Sequence, residues 1–122
     1  MEKSIDARVV AALDPIAPTW AAVKESSARN RAEEPDIYFT YQYTTHGGAY
    51  ADDEPSAEIA YITAILHAPL AAKITGYVRR AKASIHKAGF TWPNKVDASD
   101  DKERRIVLEF QDAIGVDFDG EI

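Results

Sequence analysis

Between Glu58 and His67 the chain is apolar on both sides of a two-residue period. Ala60, Ile62, Ala64 and Leu66 share one face, and Ile59, Tyr61, Thr63 and Ile65 share the other. An antiparallel strand of that kind needs cover on both of its sides. Upstream, Ile37–Tyr43 alternates more simply, with Ile37, Phe39, Tyr41 and Tyr43 opposite Tyr38, Thr40 and Gln42. The two segments flank His46-Gly-Gly-Ala-Tyr-Ala-Asp-Asp-Glu-Pro55, so residues 36–67 are expected to form a long hairpin with an acidic connecting loop. Gly47 and Gly48 supply permissive backbone there, and Pro55 marks where the second strand can begin.

The remaining segments read as support for that hairpin. Residues 4–13 predict a short helix capped by Ser4, with Ile5, Val9, Ala12 and Leu13 along one stripe. Pro15 and Pro18 end it, and Thr19–Val23 follows as a short strand. Residues 24–35 are polar and charged without periodicity, which predicts a mobile surface loop. The long helix is expected over Pro69–Ala88, where Leu70, Ile74, Tyr77, Val78, Ala81 and Ile85 recur at helical spacing. Pro69 suits its first turn, Gly89 the left-handed position after its end, and Phe90 the fold-back contact beyond. Gly76 within it suggests a close approach to the sheet. Lys95–Ala98 predicts a short strand, Ser99–Lys102 a turn, and Arg104–Phe110 a last strand with Ile106, Leu108 and Phe110 on one face. From Asp112 onward the pattern weakens into a loose tail. The fold class is therefore α+β: a mainly antiparallel sheet of about four to five strands, with one short N-terminal helix and one long helix on one face.

Length and composition narrow the function classes. A chain of 122 residues is expected to be a single domain spanning 1–122, with a sizeable core. No run of roughly 18 apolar residues and no signal-peptide pattern occurs, so no membrane association is expected and the site of synthesis is read as the cytoplasm. The absence of cysteine excludes disulfides, thiol catalysis and cysteine-bound zinc. A net charge of −6 argues against general nucleic-acid binding. That charge is unevenly spread: no acidic residue lies between Ala68 and Val96, where Lys73, Arg79, Arg80, Lys82, Lys87 and Lys95 fall. Segregation of sign points to complementary surfaces, either within the chain or on another copy, or to a solvated helix face balanced by acidic loops.

No catalytic constellation emerges from the residues. His46, Asp52, Asp53 and Glu54 put acid-base and hard oxygen groups in one loop, so a metal-dependent enzyme is one alternative, but their spacing departs from a calcium loop and acidic hairpin tips are usually solvated. Asp117-x-Asp-Gly120 has only the middle of such a loop. His67 and His86 are read as surface or packing residues, and no nucleophile elbow, phosphate loop or His-Glu-x-x-His motif is present. A small adaptor or nucleic-acid-associated module using Arg79, Arg80, Lys82 and Lys87 is the other alternative, without a recognisable docking motif. No cofactor and no catalytic or metal residue is expected.

Tyr38-Phe-Thr-Tyr41, the loop Gly-Gly-Ala-Tyr-Ala-Asp-Asp-Glu-Pro55, the strand Ile59–Leu66, His-Ala-Pro-Leu70 and Lys-Ala-Gly-Phe90 together carry a family likeness. Over roughly residues 36–111 the chain resembles the small tail-terminator, or tail-completion, proteins of long-tailed bacteriophages and prophages. The resemblance implies a non-enzymatic virion assembly protein, a homo-oligomer that is hexameric in the tail and monomeric or oligomeric in solution. Such a ring sits on the head-proximal end of the tail tube, stops polymerisation of the major tail tube protein and meets the head-neck connector proteins. Its expected contact residues are His46, Tyr50, Asp52, Asp53 and Glu54 on the hairpin loop, Tyr61, Thr63 and Ile65 (or their opposite set) on the second arm, and Lys73, Arg79, Arg80 and Lys82 on the helix.

Overall fold

The computed structural model describes residues 4–22, 36–51 and 54–112, with backbone alone for 46–51 and 54–58. The expected 24–35 loop, the tail after 112 and the residues Asp52 and Asp53 therefore lie outside it. Helix α1 (Ile5–Leu13) starts where expected, because the Ser4 hydroxyl accepts from the Ala7 amide at 3.1 Å. It buries Val9, Ala12 and Leu13. After the prolines, Asp14 accepts from the Thr19 amide at 3.1 Å and leads the chain into β1 (Thr19–Ala21).

The hairpin is longer and more regular than the sequence pattern implied. Strands β2 (Tyr38–Ala51) and β3 (Glu54–Pro69) stay paired through the glycines, so most of the segment read as an acidic loop is strand. Register shifts between Gly47 and Ala49 and again between Ala49 and Tyr50. One extra residue, Gly48, is accommodated in β2 and one, Ser56, in β3, after which the original register returns.

Pro69 does not begin the long helix. It closes β3, paired with Glu103, and its carbonyl accepts from the Ala72 amide in a turn at 3.0 Å. Helix α2 spans Thr75–Lys87, and Leu70, outside it, is 46% exposed instead of joining the stripe. The spacing at Leu70 matched helical periodicity by coincidence, because the strand's ladder to β5 already claims the backbone through residue 69. The C-terminal end is as expected: Gly89 adopts φ +104°, its amide reaches His86 O at 3.0 Å, and the Phe90 amide reaches Ile85 O at 3.3 Å. These two bonds form a Schellman motif. Strands β4 (Asn94–Asp97) and β5 (Glu103–Asp112) complete the sheet. No helix among the described residues is long and apolar enough to cross a membrane.

The fold is α+β, a five-stranded sheet in the order β1-β2-β3-β5-β4. All pairs are antiparallel except the edge pair β1–β2, so the sheet is mainly antiparallel, as the sequence pattern predicts, with one parallel pair at its edge. From β3 the chain crosses by way of α2 to β4, and β5 returns into the space between. Phe39 and Tyr41 of β2, Ala60, Ile62, Ala64, Leu66 and Ala68 of β3, and Ile106, Leu108 and Phe110 of β5 face the core. Val78, Ala81 and Ile85 of α2 and the buried stripe of α1 join the same cluster. Alternation of alanine with larger residues along β3 suits interdigitated packing on that side.

Polar contacts lock the helices to the sheet. Tyr41 and Tyr43 donate to the two carboxylate oxygens of Asp6, at 2.7 and 3.1 Å. Arg8 pairs with Asp112 at 3.0 Å, donates to Ala88 O at 3.3 Å and lies 4.3 Å from the Phe90 ring centroid. Ser84 donates to Ala12 O at 2.7 Å, joining the helices.

Unfolding measurements test these assignments. Gly89→Ala forces a side chain into left-handed backbone and sets its Cβ 3.2 Å from Arg8 Nη2, so it lowers stability by about 1–2 kcal/mol. Gly76 meets nothing within 4 Å, against the close approach suggested by the sequence, and Gly76→Ala raises stability by about 0.5–1 kcal/mol. Tyr41→Phe removes a bond to a charged acceptor and costs about 1–3 kcal/mol at neutral pH. Burial, then the Asp6 contact, push the Tyr41 hydroxyl far above the usual phenol range. Above pH about 10 the unfolded tyrosine ionises while the folded one keeps its proton, so stability falls as pH rises. In a denaturant-by-pH series that alkaline decline is shallower for Tyr41→Phe.

Candidate functional site

Pairing register decides which residues share the face opposite the helices. Tyr38, His67 and Arg105 form one row across β2, β3 and β5. Thr40, Ile65, Val107 and Val96 form the next, followed by Gln42, Thr63, Glu109 and Asn94, then Thr44, Tyr61 and Gln111. Thus Tyr61, Thr63 and Ile65 are together on the outer face, and the opposite set is core. No helix or strand among the described residues covers this face. Tyr61 and Val96 are 41% and 45% exposed, while Ile65 and Val107 are half-buried between their neighbours.

One corner of the face is a layered aromatic row that the sequence pattern did not reveal. Trp20 stacks on Tyr38 with centroids 4.8 Å apart, and Tyr38 stacks on His67 at 4.6 Å. His67 also bonds the Thr40 hydroxyl at 2.9 Å through Nε2 and approaches Glu103 at 3.6 Å through Nδ1. Only the parallel pairing of β1 with β2 brings Trp20 into this row. Beside it, Arg105 bonds Asp100 and approaches Glu103 at 3.0 Å.

The neighbouring acidic turn is accounted for by backbone needs. Asp100 accepts from the Lys102 and Glu103 amides at 2.8 and 2.9 Å, and these bonds hold its carboxyl below the usual range. Asp97 accepts from the Ser99 amide at 3.0 Å, and its bonds to Ser99, side chain first, lower its carboxyl likewise. Among the described residues no three His, Asp or Glu side chains converge as a metal site.

The helix side carries a different surface. A groove of about 350 Å³ runs between α2 and the β4–β5 edge, with Ile74, Val78 and Ile106 among its lining residues. Arg79, Lys82, Lys95 and Arg104 also line it, against the single carboxylate of Asp97. The Arg104 Nε is buried without a hydrogen-bond partner. Sequence spacing placed Arg79 and Lys82 on the helix, but not Arg104 beside them, because the β3–α2–β4 crossing was not legible.

The expected contact residues therefore divide among three places. Tyr61, Thr63 and Ile65 lie on the outer face, and Arg79 and Lys82 line the groove. Lys73 lies exposed between β3 and α2, and Arg80 is exposed on α2 outside the groove lining. His46, Tyr50 and Glu54 belong to the far half of the hairpin, whose backbone alone is described, and Asp52 and Asp53 lie outside the described residues.

That far half is a two-stranded arm. β5 pairs with β3 only up to Ala60, and β1 with β2 only at Thr19–Ala21, so beyond Thr45 and Ala60 no third strand among the described residues joins the hairpin. Its ladder from His46–Ile59 to Ala51–Glu54 extends about 20 Å past the sheet. A sequence comparison with protein-family models and with curated proteins gives no match.

Proposed function

We propose that the chain is a structural phage assembly protein, a ring-forming tail terminator that caps the tail tube and offers a joining surface to the head-neck complex. The two-stranded arm carries this reading. An isolated hairpin is at best marginally stable in water, and an arm of this length gains most from lying against another protein. The outer sheet face supports the same conclusion, because a neighbouring copy or the tube end would cover Tyr61 and Val96, which stand exposed on it among polar side chains. Segregated charge supports a heterologous contact, in which one patch meets a different patch on the next copy and the rotation closes into a ring. In this reading the protein is made in the host cytoplasm and resides at the head-proximal end of the virion tail. Its partners are other copies, the tube protein and the connector proteins, and it performs no catalysis.

Electron microscopy of tails assembled without the chain tests the proposal. Overlong tubes are expected, with normal length restored when the chain is supplied. Normal-length tails lacking heads would instead assign a joining role, and normal tails with heads would reject both. Tyr61→Lys, at an exposed outer-face position, is expected to abolish restoration while changing unfolding free energy by about 1 kcal/mol or less.

A further inference from the structure

The groove between α2 and the β4–β5 edge is where uncompensated charge and apolar surface meet. Arg79 and Lys82 line it from the helix, Lys95 from β4 and Arg104 from β5. Among the described residues none of the four forms a salt bridge, and the Arg104 Nε is buried without a hydrogen-bond partner. Asp97, the carboxylate of the lining, accepts from the Ser99 amide of its own turn, so it offsets the cations only in part. Like charges drawn together repel one another, and an anion seated among them relieves that repulsion. At this end α2 begins with Ile74 as its cap, which makes no side-chain bond to a first-turn amide, so the helix dipole adds to the same positive field.

The groove is also elongated and has an aromatic end. Arg104 pairs with Ala68 and Lys95 with Leu108, so four residues of β5, about 13 Å, separate their levels. Trp92 lies beyond Lys95, two residues before Asn94, which pairs with Glu109. Its indole lines the groove, is 57% exposed and meets only an edge-on contact with His86, at 5.6 Å between centroids. Between the two ends Ile74, Val78 and Ile106 supply apolar wall. The volume of about 350 Å³ falls within the range of small-ligand sites.

We propose that this groove binds a small phosphorylated ligand with a flat ring, of the class of nucleoside polyphosphates. The ring stacks on Trp92, and the phosphoryl oxygens accept charge-assisted hydrogen bonds from Lys95, Lys82, Arg79 and Arg104. A series of cations spread along the groove asks for more than one phosphoryl group, and the exposed indole asks for a ring. The inference goes beyond the assembly role and does not depend on it, since it concerns neither the outer sheet face nor the arm.

Fluorescence of the full-length protein carrying Trp20→Phe tests it, because Trp92 is then the sole indole. Adenosine triphosphate is expected to quench that fluorescence saturably, with half-saturation at about 1 mM or below, and calorimetry on the unsubstituted chain gives the same affinity. Adenosine alone and inorganic phosphate bind about tenfold or more weakly. Raising salt from about 0.05 to about 0.5 M weakens the nucleotide. Arg79→Gln with Lys95→Gln, both at exposed positions, weakens it about tenfold or more, and so does Arg104→Gln. Lys73→Gln with Arg80→Gln, outside the groove lining, changes it less than about twofold. Circular dichroism establishes that each variant is folded. Absence of saturable binding, or equal weakening by the Lys73 and Arg80 substitutions, overturns the proposal. Inorganic triphosphate binding as tightly as the nucleotide also overturns it, leaving a site for bare anions. Affinity for single-stranded oligonucleotides that climbs with their length and exceeds that for the nucleotide overturns it too, and assigns the groove to nucleic acid.

Discussion

Arg8 connects the parts of the molecule most distant in sequence. Its guanidinium pairs with Asp112 at the end of β5, reaches the Ala88 carbonyl at the end of α2, and covers the ring of Phe90. Phe90 in turn meets Phe110 edge to face at 5.1 Å and bridges to Asp112 through its backbone. One partly buried cation thus satisfies a carboxylate and a free helix-end carbonyl while resting on an aromatic face, an arrangement in which each contact reduces the desolvation cost of the others. The Schellman turn at Gly89 makes it possible, since only that reversal returns Phe90 to the core beneath the arginine.

With both helices anchored on one side, the sheet is left asymmetric. Its core face is closed by α1 and α2, and its other face mixes polar side chains with the exposed Tyr61 and Val96. The edge strands are short, three residues in β1 and four in β4, so the longest stretches of ladder without a third described strand are those of the arm.

Much of this arrangement was legible from residue periodicity. The stripes of α1 and α2, the Gly89–Phe90 ending and the inward sets of β2 and β5 follow from local spacing, whereas for β3 spacing gave two apolar sets and only the packing shows that Ala60, Ile62, Ala64 and Leu66 face inward. Two kinds of feature escaped it. Leu70 continued a helical rhythm into a segment whose backbone is committed to a turn after β3, since periodicity carries no information about which ladder already holds the chain. The Trp20–Tyr38–His67 row and the meeting of Arg104 with Arg79 and Lys82 depend on strand order, a property of non-local pairing. Asp97 and Asp100, which add to the acidity of the sequence, turn out to bind amides of their own turn.

The paired irregularities at Gly48 and Ser56 separate the two halves of the hairpin. Because each strand gains one residue, the ladder resumes its original register at Tyr50–Pro55, and irregularities of this kind bend and twist a strand locally. Substitutions there act on the arm without disturbing the alignment of Phe39 with Leu66 or Tyr41 with Ala64. Arm and framework are thereby mechanically independent, so the arm can change its direction through substitutions far from the core.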